Sequence, residues 1–413
     1  MGMPPTISRR HFLHASLGAL ALPHLANAAA PGVIGKIERQ VILSAPPKSL
    51  GWFHPRCCMV PGADGKTLNR VLMTLQAVSG SDVFHQLHVT QSDDVGRTWS
   101  EPAPIEDMDW HDAGDGMSEG VCDVVPQWHP QTGTVLAMGT KVWYKKNAVV
   151  KAGVERLPLY SVRDTDGKWS KRQPLVWDDP RAAAIYSCGS SERLLIENGD
   201  VLVPVTFGPK EHAWRSVTTL RCGFDGKTVT VKQAGSELSN TAGRGLLEPS
   251  VVRWNGKYYM TIRAEDNKGY VSVSEDGLNW APATAYQFDN GEPITMYTTQ
   301  QHWLPHSEAL HLVYNRKTEQ NAKVMRYRAP LFIAEMDPAT LRLRKETEQV
   351  LLPLIGDPEN DPKKVRLTDN FHPLTVNADE SWITVGENTI ASGQLGELLI
   401  ARVHWNKANG VIQ

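Results

Sequence analysis

The 413-residue sequence has no excess of either charge. Its 43 Lys and Arg stand against 45 Asp and Glu, a formal net charge of −2. That balance gives no reason to expect nucleic acid or an anionic membrane as a partner. Helical periodicity is nearly absent, which points to an all-β chain. Cysteine is scarce: Cys57, Cys58, Cys122, Cys188 and Cys222 form no C-x-x-C pair, so zinc-ribbon and dithiol redox readings lack support. The odd number leaves at least one thiol unpaired in a monomer. A disulfide stays open in an oxidising compartment, but buried strand thiols are the favoured expectation. No set of metal ligands stands out. His85 and His88 lie on opposite faces of a regular strand. Asp115, Glu119 and Asp123 read as a solvated acidic loop rather than a calcium site. Neither a metal nor a cofactor is expected. No stretch reads as a transmembrane helix either; the apolar run at 15–22 is too short and ends at Pro23 and His24.

That run belongs to a recognisable leader. Ser8-Arg9-Arg10-His11-Phe12-Leu13 is a twin-arginine pattern, and Leu25-Ala26-Asn27-Ala28-Ala29 supplies a small-residue cleavage region. Residues 1–29 are therefore expected to be a removable signal peptide, with the periplasm or exterior as destination and no membrane anchor after removal. Residues 30–413 are expected to form one domain.

Within 30–413, short β-type runs recur at a spacing of roughly 50–75 residues. Examples are Val71-Leu72-Met73-Thr74-Leu75, Val201-Leu202-Val203-Pro204-Val205 and Trp382-Ile383-Thr384-Val385. A second pattern repeats beside them. Ser92-Asp93-Asp94-Val95-Gly96-Arg97-Thr98-Trp99 and Ser274-Glu275-Asp276-Gly277-Leu278-Asn279-Trp280 are versions of one turn, and Asp164 to Trp169 and Phe224 to Lys227 are decayed copies. Such a sequence suits a hairpin tip: Asp accepts from turn N–H groups, Gly supplies positive φ, and Trp packs back. These residues are structural, not catalytic. Thirteen Trp can serve either sugar stacking or packing between blades.

These tips resemble the Asp-box (BNR) repeats of the sialidase superfamily. The resemblance implies an all-β, six-bladed β-propeller. Blade cores are expected near 54–110, 119–178, 182–235, 244–288, 297–353 and 368–405. The strand around Val41-Ile42-Leu43 should complete the last blade and close the ring.

The same resemblance implies a site. Arg56, in Trp52-Phe53-His54-Pro55-Arg56, is similar in position to the first substrate-carboxylate Arg, although the residue order around it differs. Asp82 matches the family acid/base; its alternative is a plain turn aspartate. Glu248 and Arg263 resemble the active-site Glu and the second Arg; their alternative is a structural ion pair. Arg328 resembles the third Arg, with Arg326 as the other candidate, two residues away on the same face if the segment is a strand. Sialidases carry a Tyr nucleophile at the start of the last blade. Here Phe371-His372-Pro373 stands there, echoing Phe53-His54-Pro55, so His54 and His372 become acid/base candidates. Glu387 is a candidate for the same side of the pocket. Trp177 to Arg181 and Arg244 are candidate rim contacts. Tyr186, Tyr297 and Tyr314 are unranked replacements for the missing Tyr.

The favoured expectation is an exported exo-acting glycoside hydrolase on a terminal acidic sugar. Arg56, Arg263 and Arg328 would clamp the acid group, Asp82 would act as acid/base, and Glu248 would polarise a nucleophile or water. One alternative is a lyase in which His54 or His372 removes the proton next to an Arg-neutralised uronate carboxylate. The other is a glycan-binding propeller without catalysis. Carbohydrate is the expected partner in all three.

Overall fold

The computed structural model describes residues 32–44, 50–79, 82–151, 153–209, 213–368, 370–390 and 397–411. The leader at 1–29 lies outside them. Six antiparallel sheets follow one another in chain order, and their inner strands face one axis as the blades of a propeller. The inner strands are Gly51–Pro61, Met117–His129, the pair Ile185–Ser187 and Leu194–Leu195, Leu246–Trp254, Gln301–His306 and His372–Thr375. Blades three to six fall within a few residues of their expected spans, whereas blade one ends earlier, at Pro104, and blade two takes in His111–Gly114, which pairs with Met117–His129. The first described strand, Ile34–Ser44, pairs with Glu397–Trp405 on the outside of the sixth blade. Chain start and chain end therefore share one sheet and close the ring, as expected. Among the described residues, helix is confined to short 3-10 turns, and no helix is long and apolar enough to cross a membrane.

The core is distributed over the seams between blades. Leu304, Val313, Ile333, Ile383, Leu399 and Val403 join blades five and six. Trp254, Tyr259, Trp303 and Phe332 join four and five. Trp303 and Trp382 are fully buried, so these two pack between blades rather than meeting a ligand. Each such burial contributes about 2–3 kcal/mol. All five cysteines are free and buried. Burial pushes the Cys58, Cys188 and Cys222 thiols up to about 12.

The repeated tips have one geometry. Asp94 Oδ1 accepts from the N–H groups of Arg97 (3.1 Å) and Thr98 (2.8 Å), and Asp276 Oδ1 from Leu278 (2.8 Å) and Asn279 (2.7 Å). The decayed copies keep it: Asp164 accepts from Lys168 at 2.8 Å and Asp225 from Thr228 at 2.7 Å. Gly277 sits at φ +75°, and a Cβ there would lie 2.6 Å from Leu202 Cδ1. The tip tryptophans reach the preceding blade: Trp280 Nε1 donates to Thr219 Oγ1 at 3.0 Å, and Trp99 meets Trp382 at a centroid distance of 6.4 Å. The tips thus staple the seams.

Candidate active site at the head of the inner strands

Each inner strand carries a non-glycine residue in the left-handed region, within it or just before it. The six are His54 (φ 50°), Asp123 (53°), Ser190 (58°), Glu248 (44°), Thr298 (43°) and Asn370 (58°). In three blades the ladder slips at that residue, between Phe53 and Arg56, Cys122 and Val125, and Leu247 and Ser250. A bulge adds a residue and re-aims the side chain. Such backbone costs of order 1–2 kcal/mol per non-glycine residue, so six at corresponding blade positions make this ring the candidate site.

Hydrogen bonds cross every seam of this ring. Arg56 Nη1 donates to Asn370 O at 2.6 Å, and Arg56 Nη2 to Asp123 Oδ1 at 3.4 Å. Ser190 N donates to Asp123 O at 3.1 Å, and Glu248 N to Thr206 Oγ1 at 2.8 Å. Arg263 Nε donates to Thr298 Oγ1 at 2.9 Å. Gln300 Nε2 reaches both Ser190 Oγ (3.0 Å) and Asn370 Oδ1 (3.3 Å). Blades three and six are opposite each other, so the Gln300 amide closes the floor.

Two carboxylates of the ring keep contact with solvent: the Asp123 side chain is 21% exposed and that of Glu248 29%. Their environments oppose each other. Burial pushes the Asp123 carboxyl up to about 6; the Arg56 guanidinium works against this and the Glu248 charge adds to it. His54 Nε2 lies 3.1 Å from Asp123 Oδ1, and burial followed by the Arg56 charge holds its imidazole well below the usual range. Burial thus works against the charged form of both partners. Burial would also raise Glu248, but Arg263, Arg244 and Arg328 outweigh it and hold that carboxyl below its usual range. Arg263 Nη1 donates to both Glu248 oxygens, at 2.7 and 2.6 Å. Arg244 is itself paired with Glu265 and also reaches Thr298 Oγ1 at 3.5 Å.

The expected residues separate accordingly. Glu248, Arg263, Arg328 and His54 come together at the ring. Asp82 lies in the exposed blade-one loop at φ 61°, and its charge reaches His54, Arg244 and Tyr144 across the mouth. Arg56 is fully buried beneath the ring, on Asp123 and Asn370, so it braces the floor rather than forming the open side of a clamp.

Four expectations need correction. His372 is not at the ring position of blade six. Asn370 is, and His372 lies two residues deeper, 5% exposed and 5.5 Å from the His302 ring. The two Phe-His-Pro segments are thus not equivalent, because the left-handed residue is His54 in one and Asn370 in the other. Arg326 does not share a strand face with Arg328: Met325–Tyr327 is a 3-10 turn that leaves Arg326 exposed. Glu387 is committed to Arg39 (3.0 Å) and Arg366 (3.1 Å), outside the ring. Asp123 is no solvated loop residue; it lies inside the inner strand Met117–His129. Tyr186 and Tyr314 are buried and bonded to Leu175 O and Glu348, whereas Tyr297 is exposed beside Thr298.

Sequence reasoning missed Asn370, Ser190 and Thr298 and undervalued Asp123. The available signal was a polar residue directly before an apolar inner strand, as in Cys122-Asp123-Val124-Val125, recurring at the blade spacing. No cluster of His, Cys, Asp or Glu among the described residues could hold a metal ion.

This arrangement defines a β-propeller whose axial mouth interleaves carboxylates with arginines. The chain belongs to the BNR repeat-like domain family, which it matches over residues 82–344. Among solved structures it is similar to a protein of unknown function from Dyadobacter fermentans, at 15% identity and TM-score 0.63, covering 91% of this chain and 100% of that one. It is also similar to Trypanosoma rangeli sialidase in complex with the inhibitor DANA, at 15% identity and TM-score 0.61, covering 89% and 60%. The K499G mutant of NanB sialidase from Streptococcus pneumoniae follows at 11% identity and TM-score 0.59, covering 89% and 70%. This chain therefore spans about 60% of the Trypanosoma rangeli enzyme's length. At these identities the likeness is one of fold. No curated protein matches the chain.

Proposed function

We propose that this chain is an exported glycoside hydrolase that acts on the terminal residue of an acidic glycan. One observation carries the reading: two carboxylates at one mouth are driven in opposite directions, Asp123 up to about 6 and Glu248 down. Such a split assigns an acid and a permanent anion. Asp123, beside His54, donates a proton to the leaving oxygen. Glu248, ionised throughout, stabilises positive charge at the anomeric carbon and orients the attacking group. Arg244, Arg263 and Arg328 supply cationic character for an acidic substituent. The floor closed by Gln300 favours a pocket over a through-groove, hence attack on a chain end. Export rests on the twin-arginine pattern.

The eliminative alternative uses His54 as base, and its burial favours the neutral imidazole that a base requires. Both readings are tested on methylumbelliferyl glycosides and oligosaccharides of sialic and uronic acids. Hydrolysis releases reducing sugar without ultraviolet absorbance, and Asp123→Asn removes an ionisation near pH 6 from kcat/KM. An ultraviolet-absorbing unsaturated product would establish elimination. Glycan binding that survives both Asp123→Asn and Glu248→Gln, with no turnover by the unmodified protein, would leave a binding propeller.

A further inference from the structure

We propose that Tyr297 and the cavity beside it form a subsite for an uncharged sugar, carried as a branch by the acidic residue. This rests on the glycan reading above and extends it to substrate class.

Tyr297 is 38% exposed. Every other Phe, Tyr and Trp among the described residues is buried or half-buried, so this ring is the most open aromatic surface among them. It stands at the mouth, because the next residue is Thr298 of the ring. Thr298 Oγ1 accepts from Arg263 Nε at 2.9 Å and from Arg244 Nη2 at 3.5 Å. Tyr297 is therefore one peptide, about 4 Å between Cα atoms, from the residue that anchors both arginines.

The chain here is a fixed ledge. Ile294 and Met296 are buried, Thr295 is half-buried and Tyr297 is exposed. That alternation places Thr295 and Tyr297 on one outer face. Backbone bonds pin the ledge from both sides: Met296 N donates to Asn267 O at 3.0 Å, and Lys317 N to Thr295 O at 2.8 Å. A platform already held in place loses little freedom when a ligand settles on it.

Thr295 also lines a cavity of about 530 Å³ between this ledge and the blade-five loop 316–322. That volume lies in the range of small-molecule sites. The charges around it cancel. Arg316 is held by both oxygens of Glu348, at 2.7 and 2.6 Å, and Glu292 pairs with Lys345. Lys317 and Glu319 are exposed and opposite in sign. An open aromatic face beside a polar but neutral cavity suits the apolar face and the hydroxyls of an uncharged pyranose. An acidic sugar belongs instead to the neighbouring arginines.

The ring sets the direction. Asp123 is on blade two, which is opposite blade five in a ring of six. A chain that leaves past Asp123 points away from Tyr297. The unit at Tyr297 is therefore attached to the acidic residue itself, not to the leaving group.

The test uses the whole protein. Saturation-transfer NMR probes binding of the methyl glycosides of glucose, galactose, mannose and N-acetylglucosamine. Calorimetry compares the methyl glycosides of glucuronic and sialic acid with the same acids bearing one of these sugars on a ring hydroxyl. At least one neutral glycoside should bind. A branched acid should bind about tenfold tighter than the bare acid, the gain that one stacked ring supplies. Tyr297→Ala should bring that ratio to about one. Ala322→Trp, which fills the cavity from an exposed position, should do the same with Tyr297 intact. The subsite is overturned if no neutral glycoside binds, or if binding survives both substitutions. If neutral-sugar binding depends on Tyr297 but no acidic glycan is bound or cleaved, the subsite stands and the hydrolase reading fails. If acidic glycans are cleaved with the same kcat/KM whether or not they carry the branch, the hydrolase reading stands and the subsite fails.

Discussion

Replacing Asp123 by Asn gives the sharpest quantitative test of the ring. The Asp123 carboxyl titrates at about 6 in the folded protein, against an ordinary value of 3.8. A difference of about two units is worth about 3 kcal/mol between the protonation states. The sign follows from proton counting. Between these two pKa values the native state holds a proton that the unfolded chain has lost, so Asp123 lowers stability as pH rises through the window. Below it both states are protonated and the cost vanishes. Asn cannot titrate. Other effects of the substitution, such as a weakened contact to buried Arg56, are largely present at both ends of the window and cancel in the difference. Urea unfolding of both proteins at pH 4 and pH 7 should therefore show Asp123→Asn gaining about 2–3 kcal/mol relative to the parent over that interval. A stability difference that does not change with pH would refute the assignment of a raised carboxyl at Asp123, and with it the choice of acid.

Three further outcomes follow from the same geometry. Glu248→Gln leaves Arg263, Arg244 and Arg328 facing one another without their shared anion; it should cost about 2–4 kcal/mol in urea unfolding and abolish turnover, whereas a loss below 1 kcal/mol would mean that the cage is not coupled. Gly277→Ala places a Cβ 2.6 Å from Leu202 Cδ1 at φ +75°; thermal unfolding should report a loss of about 1–3 kcal/mol with catalysis unchanged, because the tip is far from the ring. The five thiols should resist iodoacetamide in the folded protein and all react after denaturation, as counted by intact mass; a native disulfide would leave fewer than five alkylated.

Several parts of this protein were legible residue by residue. The Asp94 and Asp276 tips could be read because their chemistry is local: a carboxylate, its turn N–H groups and a glycine lie within a few positions. Blade spans and the closing strand could be read because strand runs alternate with turn residues at a steady spacing. Glu248 and Arg263 could be read because they lie fifteen positions apart in one hairpin. Asp123 and Asn370 could not. Positive φ is normally signalled by glycine, and here six non-glycine residues adopt it because neighbouring blades hold them there.

The sequence alone thus determined an all-β propeller with stapled tips and a hairpin carrying one carboxylate and its arginine. Those features follow from local turn chemistry and strand periodicity. Only the tertiary structure decided which polar residues meet at the axis. In blade two a bulge between Cys122 and Val125 re-aims the strand and brings Asp123 from an acidic stretch to the ring; in blade six the left-handed backbone falls on Asn370, before the strand that begins at His372.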